Sequence, residues 1–308
     1  MLNKIRIISR NSKLAMWQAE HVASLLVNYY PNMKVEIIGV TTEGDRILDK
    51  SLDKIGGKGL FIKELEYQLL ANAADIAVHS LKDLPANLPE EFSIAAILER
   101  ETANDALVSN KFTSLETMPV GSLIGTSSAR RVAILKRYYP HLQVKLLRGN
   151  LQTRIAKLDN NEYDAIILAV AGLKRLGLES RITEVLSEEK FIPAIGQGVL
   201  AVEICKPRDD LRNLLAPLHH ELTSALISAE REVGRYMNAS CNIPIACYAK
   251  LQDQKLKLRA MLADNEENVF LDAESEGDLG CFQQIGQDCA QKILNAGGAK
   301  IIEKLALK

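Results

Sequence analysis

The chain has 308 residues, which at ~150 residues per domain predicts two or three domains. Hydrophobic residues at 47% and charged residues at 25% exclude a disordered or fibrous chain. Lysine and arginine total 38 against 39 aspartates and glutamates, so a net charge of -1 excludes a protein that coats nucleic acid or anionic membrane by bulk charge; an average can still hide a local stripe.

The N-terminus carries Lys4, Arg6 and Arg10 and no apolar signal core, so it predicts a strand, Lys4 to Ser9, rather than an export signal. Leu14, Trp17, Val22, Leu25, Leu26 and Tyr29 then fall near helical spacing, with Asn11 or Ser12 as N-cap. Val35 to Thr41 predicts a strand, Leu60 to Ala71 a helix, and Asp75 to His79 and Phe92 to Leu98 strands. This alternation implies an α/β layer structure with a largely parallel sheet. Gly56-Gly57-Lys58-Gly59 precedes the second helix without Walker A spacing, so it is either an anion-binding loop or a plain turn. Pro85 disfavours a helix directly after the strand ending at His79. Ser80, Lys82 and Asp83 are therefore expected in a loop at a strand's carboxyl end, a usual place for catalysis, although a Lys beside an Asp is also a common surface pair.

The pattern then restarts. Asp105 to Val108 and Leu123 to Thr126 predict strands, Ser128 to Tyr139 a helix, Val144 to Leu147 a strand and Leu151 to Leu158 a helix. Asp164 to Leu168 predicts a buried strand with a helix after it, and Val199 to Cys205 a strand returning to the first domain. Two crossings between two α/β domains would leave a cleft. Leu214 to Tyr236 is strongly helical; Ile245 to Gln252, Lys255 to Ala263 and Asn268 to Ser275 predict strands, with helices near 281–295 and 298–306. The expected domains are 1–99 with 199–217, 104–193, and a smaller α+β domain at 221–308. Asp264 to Asp278 holds seven carboxylates and no base, which predicts a solvated hairpin.

The longest apolar run, Ala165 to Leu173, is nine residues where a membrane helix needs ~20. The five cysteines, 205, 241, 247, 281 and 289, are odd in number and show no C-x-x-C pair, which argues against a disulfide framework or a zinc site. A cytoplasmic monomer without metal, membrane or nucleic-acid partner is the expectation.

Between Thr126 and Lys157 lie Arg130, Arg131, Lys136, Arg137, Lys145, Arg148, Arg154 and Lys157, eight cations in 32 residues with no acid. Arg130 and Arg131 fall in the first turn of a helix, where they oppose its dipole, so an anion is expected to compensate them. Thr126-Ser127-Ser128 and Arg148-Gly149-Asn150 each sit where a strand turns into a helix, the geometry of an anion site. The alternatives are a solvated basic face and a nucleic-acid face; the scarcity of interleaved aromatics disfavours the latter.

These motifs together resemble the porphobilinogen deaminase (hydroxymethylbilane synthase) family. The matching stretches are Ser9 through Ala15, Gly56 through Phe61, Asp75 through Pro85, Gly125 through Arg131, Leu147 through Asn150, Ala165 through Gly177, Pro193 through Gly198 and the loop at Cys241. The resemblance implies two α/β domains like those of periplasmic binding proteins around a cleft, plus a smaller C-terminal α+β domain. It implies a transferase that polymerises porphobilinogen on a dipyrromethane cofactor held by a cysteine thioether. Asp83 would be the catalytic carboxylate and Cys241 the attachment point. Lys82, Ser80, Ser128, Arg130, Arg131 and Arg148 would hold the cofactor. Arg10, Ser12, Lys58, Arg154, Arg175 and Gln197 would hold substrate. The family commonly has two glycines before this cysteine and one after the Pro-hydrophobic pair; Ala239, Ser240 and Ala246 stand there instead, which predicts a different loop path. Cys247 is the nearby competitor. Two other functions fit parts of the pattern: a non-catalytic anion-binding protein, and a cysteine hydrolase pairing Cys241 with His79.

Overall fold

The computed structural model describes residues 3–46, 62–238 and 243–306. The first lobe comprises β1 (Lys4–Arg10), α1 (Lys13–Tyr29), β2 (Lys34–Val40), α2 (Glu43–Arg46), α3 (Lys63–Leu70), β3 (Ile76–Ser80) and β4 (Phe92–Ile97). The second comprises β5 (Asp105–Val108), β6 (Leu123–Gly125), α4 (Ala129–Tyr138), β7 (Gln143–Lys145), α5 (Leu151–Asp159), β8 (Ala165–Ala169), α6 (Val170–Arg175) and β9 (Glu184–Val185). The chain then returns as β10 (Leu200–Cys205) and α7 (Asp209–Leu215). It continues through α8 (Glu221–Tyr236), β11 (Ile245–Gln252), β12 (Lys255–Asp264), β13 (Val269–Asp278), α9 (Phe282–Ile293) and α10 (Ala299–Ala306). None of the described helices is long and apolar enough to cross a membrane.

Local sequence explains the first helix. Ser12 accepts from the Ala15 amide at 3.3 Å as its N-cap. Ala15, Ala19, Val22 and Leu26 then recur on one buried face, and Ala19, Val22 and Leu26 pack in one core with Ile5, Ile7 and Val78. Each fully buried Ile, Leu or Val in such a core contributes roughly 1.5–3 kcal/mol.

The two lobes share one topology, with strand orders β2-β1-β3-β10-β4 and β7-β6-β8-β5-β9. Four of the five strands in each sheet run the same way, as the expected largely parallel sheet requires, and one strand in each is reversed. β10 runs antiparallel to β3 and β4, and β5 antiparallel to β8 and β9. The cause is where the chain crosses between lobes. β3 and β8 end at the cleft, and β10 and β5 begin there, since each receives the chain from the opposite lobe; Leu200 pairs with Ser80 and Asp105 with Ala169. The expected helix over Leu214 to Tyr236 is also corrected. A 3-10 turn at Ala216–Leu218, containing Pro217, interrupts it, and α8 starts afresh with His220 accepting from the Thr223 amide at 3.3 Å.

The third sheet is antiparallel, ordered β11-β12-β13, with α8 and α9 packed on one face. Ala246, Met261 and Ala263 on its other face join the second lobe's core beside Ile134, Tyr139 and Phe191. The acidic run at 264–278 is strand as well as turn. Its carboxylates meet cations: Lys304 lies 2.6 Å from Asp264 and 2.7 Å from Glu267, and Arg137 of α4 lies 2.7 Å from Asp272.

The crossings are bonded to each other, Leu98 N to Leu200 O at 3.0 Å and Glu101 N to Gly198 O at 3.1 Å. Gly198 has φ +88°, and a Cβ there would lie 2.3 Å from the Glu101 carbonyl oxygen, so only glycine lets the crossings pass this closely. Glu230 of α8, fully buried, accepts from Arg100 Nη1 at 2.6 Å, Gly196 N at 2.8 Å and Ala249 N at 2.9 Å. One carboxylate thus ties both crossings to the third sheet. Glu230→Ala strands the Arg100 guanidinium and two amides, and is expected to lower stability by roughly 3–5 kcal/mol. Thermal unfolding measures this, and an unchanged midpoint would contradict it.

Candidate active site

At the cleft end of β3, Leu81–Asp83 makes one 3-10 turn and Leu84 is already extended (φ -81°, ψ 139°), as the proline after it requires. Leu81 and Leu84 are buried, 1% and 6% exposed, and pin the turn; Lys82 and Asp83 between them are left facing the cleft. Asp83 lies 4.0 Å from Arg10 Nη1 at the end of β1. Gln18 of α1 donates to Ser80 Oγ at 2.8 Å.

The cleft is a cavity of about 500 Å³, within the usual range for ligand sites. Among the described residues its wall carries six cations, Arg10, Lys82, Arg131, Arg148, Arg154 and Arg175, and one carboxylate, Asp83. Confinement of like charges shows in their acidities. Burial, then Arg131, pulls the Lys82 ammonium down to about 8. Burial, then Arg131 and Arg148, pulls Arg154 down to about 10, and burial brings Arg175 to about 10. Burial and then Arg10 also lower Arg148. Several of these groups are aimed by backbone carbonyls: Arg154 Nε donates to Gly149 O at 2.8 Å and Arg175 Nη2 to Gly198 O at 2.7 Å. Ser12 also borders the cavity.

The anion expected for the arginine pair lies inside the chain. Asp105, fully buried at the start of β5, receives Arg130 Nη2 at 2.7 Å, Arg131 Nη2 at 2.6 Å and Gln197 Nε2 at 3.0 Å. Burial alone would raise its carboxyl, but Arg130 and Arg131 hold it well below the usual carboxylate range. Ser128 caps α4, accepting from Arg131 N at 3.4 Å, while its neighbour Ser127 borders the cavity. Arg130, Ser128 and Gln197 therefore form the layer behind the wall, with Gln197 Oε1 3.5 Å from Lys82 Nζ. Lys136 and Arg137 of the basic stripe turn instead toward the third sheet, to Asn265 O at 2.5 Å and to Asp272.

Lys58 and Cys241 lie outside the described residues. The competing Cys247 is fully buried, and burial pushes its thiol far above the ordinary value. His79 Nε2 lies 3.0 Å from the buried Glu203.

Asp105, Glu230 and Gln18 were not singled out from sequence. The available signal for Asp105 was an acid opening an otherwise apolar strand.

Comparison with known proteins follows the same lines. The model of the "Porphobilinogen deaminase, dipyromethane cofactor binding domain" matches residues 5–213, and that of the "Porphobilinogen deaminase, C-terminal domain" residues 225–295. A porphobilinogen deaminase from Laribacter hongkongensis is 49% identical, covering 98% of both chains. One from Neisseria meningitidis serogroup B is 50% identical over 97% of this chain and 96% of its own. Among solved structures, a periplasmic substrate-binding protein from Coxiella burnetii is 14% identical with a TM-score of 0.44, covering 70% of this chain and 92% of that one. The methionine-binding protein MetQ is 12% identical with a TM-score of 0.45, covering 69% and 87%.

Two predictions follow from the charge pattern. The Asp105 carboxyl is held below the usual carboxylate range, so its contribution to stability is complete above pH ~4 and is lost as pH falls through the lower folded value. Asp105→Asn should remove that acid-dependent component and cost roughly 3–5 kcal/mol at neutral pH, read by chemical unfolding across pH; wild-type stability at neutral pH would contradict it. Lys82, at about 8, should be acylated ahead of the exposed lysines near pH 8. Peptide mapping of partially acylated protein checks this, and random labelling would refute the lowered value.

Proposed function

The chain belongs to the porphobilinogen deaminase family, and from that premise we propose which of its residues carry the reaction. It deaminates four porphobilinogen molecules and joins them head to tail into hydroxymethylbilane, in tetrapyrrole biosynthesis. The observation that carries the site assignment is the cavity wall, which among the described residues bears six cations and one carboxylate. Each porphobilinogen brings an acetate and a propionate, and a growing chain multiplies them. Arginine presents a fork matched to carboxylates, and their arrival offsets the burial that depresses Lys82, Arg154 and Arg175, together with the repulsion from neighbouring arginines at Lys82 and Arg154.

The same excess of cations fits a dipyrromethane, which is itself a polycarboxylate. When bound, this group supplies the pyrrole end on which the chain grows. Lys82, Arg131 and Arg148 would hold its carboxylates, with Ser80 hydrogen-bonding beside them. Ser128, Arg130 and Gln197 act from behind by fixing α4, Asp105 and Lys82. Cys241 would form the thioether; the deep burial of Cys247 supports that choice. Arg10, Ser12, Arg154 and Arg175, with Lys58, would receive the carboxylates of incoming substrate.

Asp83 carries the chemistry. Loss of ammonia from the aminomethyl group breaks the C–N bond and leaves an azafulvenium cation, its charge delocalised onto the pyrrole nitrogen. A carboxylate fixed beside that N–H stabilises the cation and accepts protons. The exposed methylene carbon then bonds the free α-carbon of the chain, which loses its proton to regain aromaticity. The Leu81 and Leu84 anchors matter here, because a carboxylate works only if it is held at the reacting ring.

Incubation with porphobilinogen should yield hydroxymethylbilane and one ammonia per substrate consumed. Asp83→Asn should retain the wild-type fold and lower turnover roughly 100-fold or more; unchanged turnover would refute its role. Arg148→Leu, which removes a cation from the wall, should impair primer assembly or elongation, read by mass spectrometry of the protein after substrate addition. Normal elongation would return Arg148 to a structural part.

A further inference from the structure

We propose that His79 and Glu203 form a buried proton relay serving Asp83; the proposal rests on the assignment of Asp83 given above. The two side chains, 4% and 0% exposed, meet at 3.0 Å between Nε2 and Oε2. Sheet register places them together: β3 pairs with β10 so that His79 faces Ala201 and Ala77 faces Glu203, which puts both side chains on one face as a diagonal pair. Burying two ionisable groups costs several kcal/mol that an apolar pair would not, so packing alone does not account for them.

The pair is connected to the cleft. His79 borders a small cavity of about 60 Å³ whose wall also includes Asp83, Arg10, Ser12, Ser80 and Gln18. That volume admits water, whose share of the liquid is about 30 Å³ per molecule. A carboxylate at Nε2 fixes the Nε2–H tautomer and leaves Nδ1 as the basic nitrogen. At the inner end, Glu203 Oε1 and Glu66 Oε1 of α3 are buried with no hydrogen-bond partner among the described residues. Burial and then Glu203 raise the Glu66 carboxyl, so this end holds a further proton more readily than an ordinary carboxylate. The charged groups around the pair are Glu66 and Lys63 on α3, Glu91 before β4, and Arg231 on α8, with the Cys205 thiol beside Glu203.

The chemistry requires such an acceptor. In each condensation the C–N bond breaks to release ammonia, the C–C bond forms, and the α-carbon of the chain's terminal pyrrole gives up its proton to the Asp83 carboxylate. Asp83 must lose that proton before the next cycle. Transfer through the small cavity to Nδ1 of His79 makes an imidazolium that Glu203 stabilises, and the proton leaves later with ammonia as ammonium. His79 and Glu203 act through Asp83 and are positioning residues.

The test compares the wild type with Glu203→Gln and His79→Gln, each shown by intact mass to carry the same cofactor load. Both variants should lower kcat roughly tenfold or more with KM unchanged. The relay accepts only while His79 is neutral. In Glu203→Gln the proton accepted by the ring loses its carboxylate partner, so the acid limb of the pH–rate profile should move to lower pH. A structural role predicts a lower unfolding midpoint with the pH profile unmoved, and that result, or wild-type kcat and profile, overturns the proposal. If neither variant folds, the solvent deuterium effect on single-turnover condensation by wild-type protein decides, and its absence overturns the relay. A wild-type protein inactive toward porphobilinogen would instead defeat the assignment on which the relay rests.

Discussion

A buried carboxylate at the mouth of the second lobe organises the cleft. Asp105 has no solvent, and desolvating a carboxylate costs several kcal/mol unless cations and donors surround it. Arg130, Arg131 and Gln197 do so, and in return Asp105 holds the two arginines in the first turn of α4 against that helix's dipole. Arg131 reaches the cavity wall while Arg130 stays behind it. The position of Asp105 follows from topology: the chain enters the second lobe at the cleft, so the first residue of β5 lies where β8 ends. A residue of the crossing thereby sets the electrostatics of the site.

What Asp105 neutralises is only part of the charge. The wall retains cations whose acidities are shifted by burial and, at Lys82 and Arg154, also by neighbouring arginines. The crossings, bonded at Leu98–Leu200 and Glu101–Gly198 and anchored by Glu230, hold the lobes at a spacing where cations from both reach one cavity.

Much of this was legible in the sequence because it is local. Pro85 limited the turn after β3 and so exposed Asp83; Ser12, Ser128 and Asn150 cap their helices through side-chain oxygens, as residues before an apolar-periodic run do. The boundaries of β11 follow directly from its alternation. Long-range features were not legible. The stripe's counter-ion lies some two dozen residues upstream of its arginines, and no periodicity links them. Strand polarity depended on where the crossings pass, and the break before α8 on a proline inside an otherwise helical pattern. Gln197 has the composition of a ligand contact, yet its amide serves Ala103 O and Asp105.

We propose that the cationic cleft holds a polycarboxylate primer bound through Cys241. Intact mass of the purified, active protein, followed by peptide mapping, tests it most directly. The predicted result is a mass above that of the bare sequence by one dipyrromethane, carried on the peptide containing Cys241. Active protein with the unmodified mass, or with the addition on another cysteine, would contradict it.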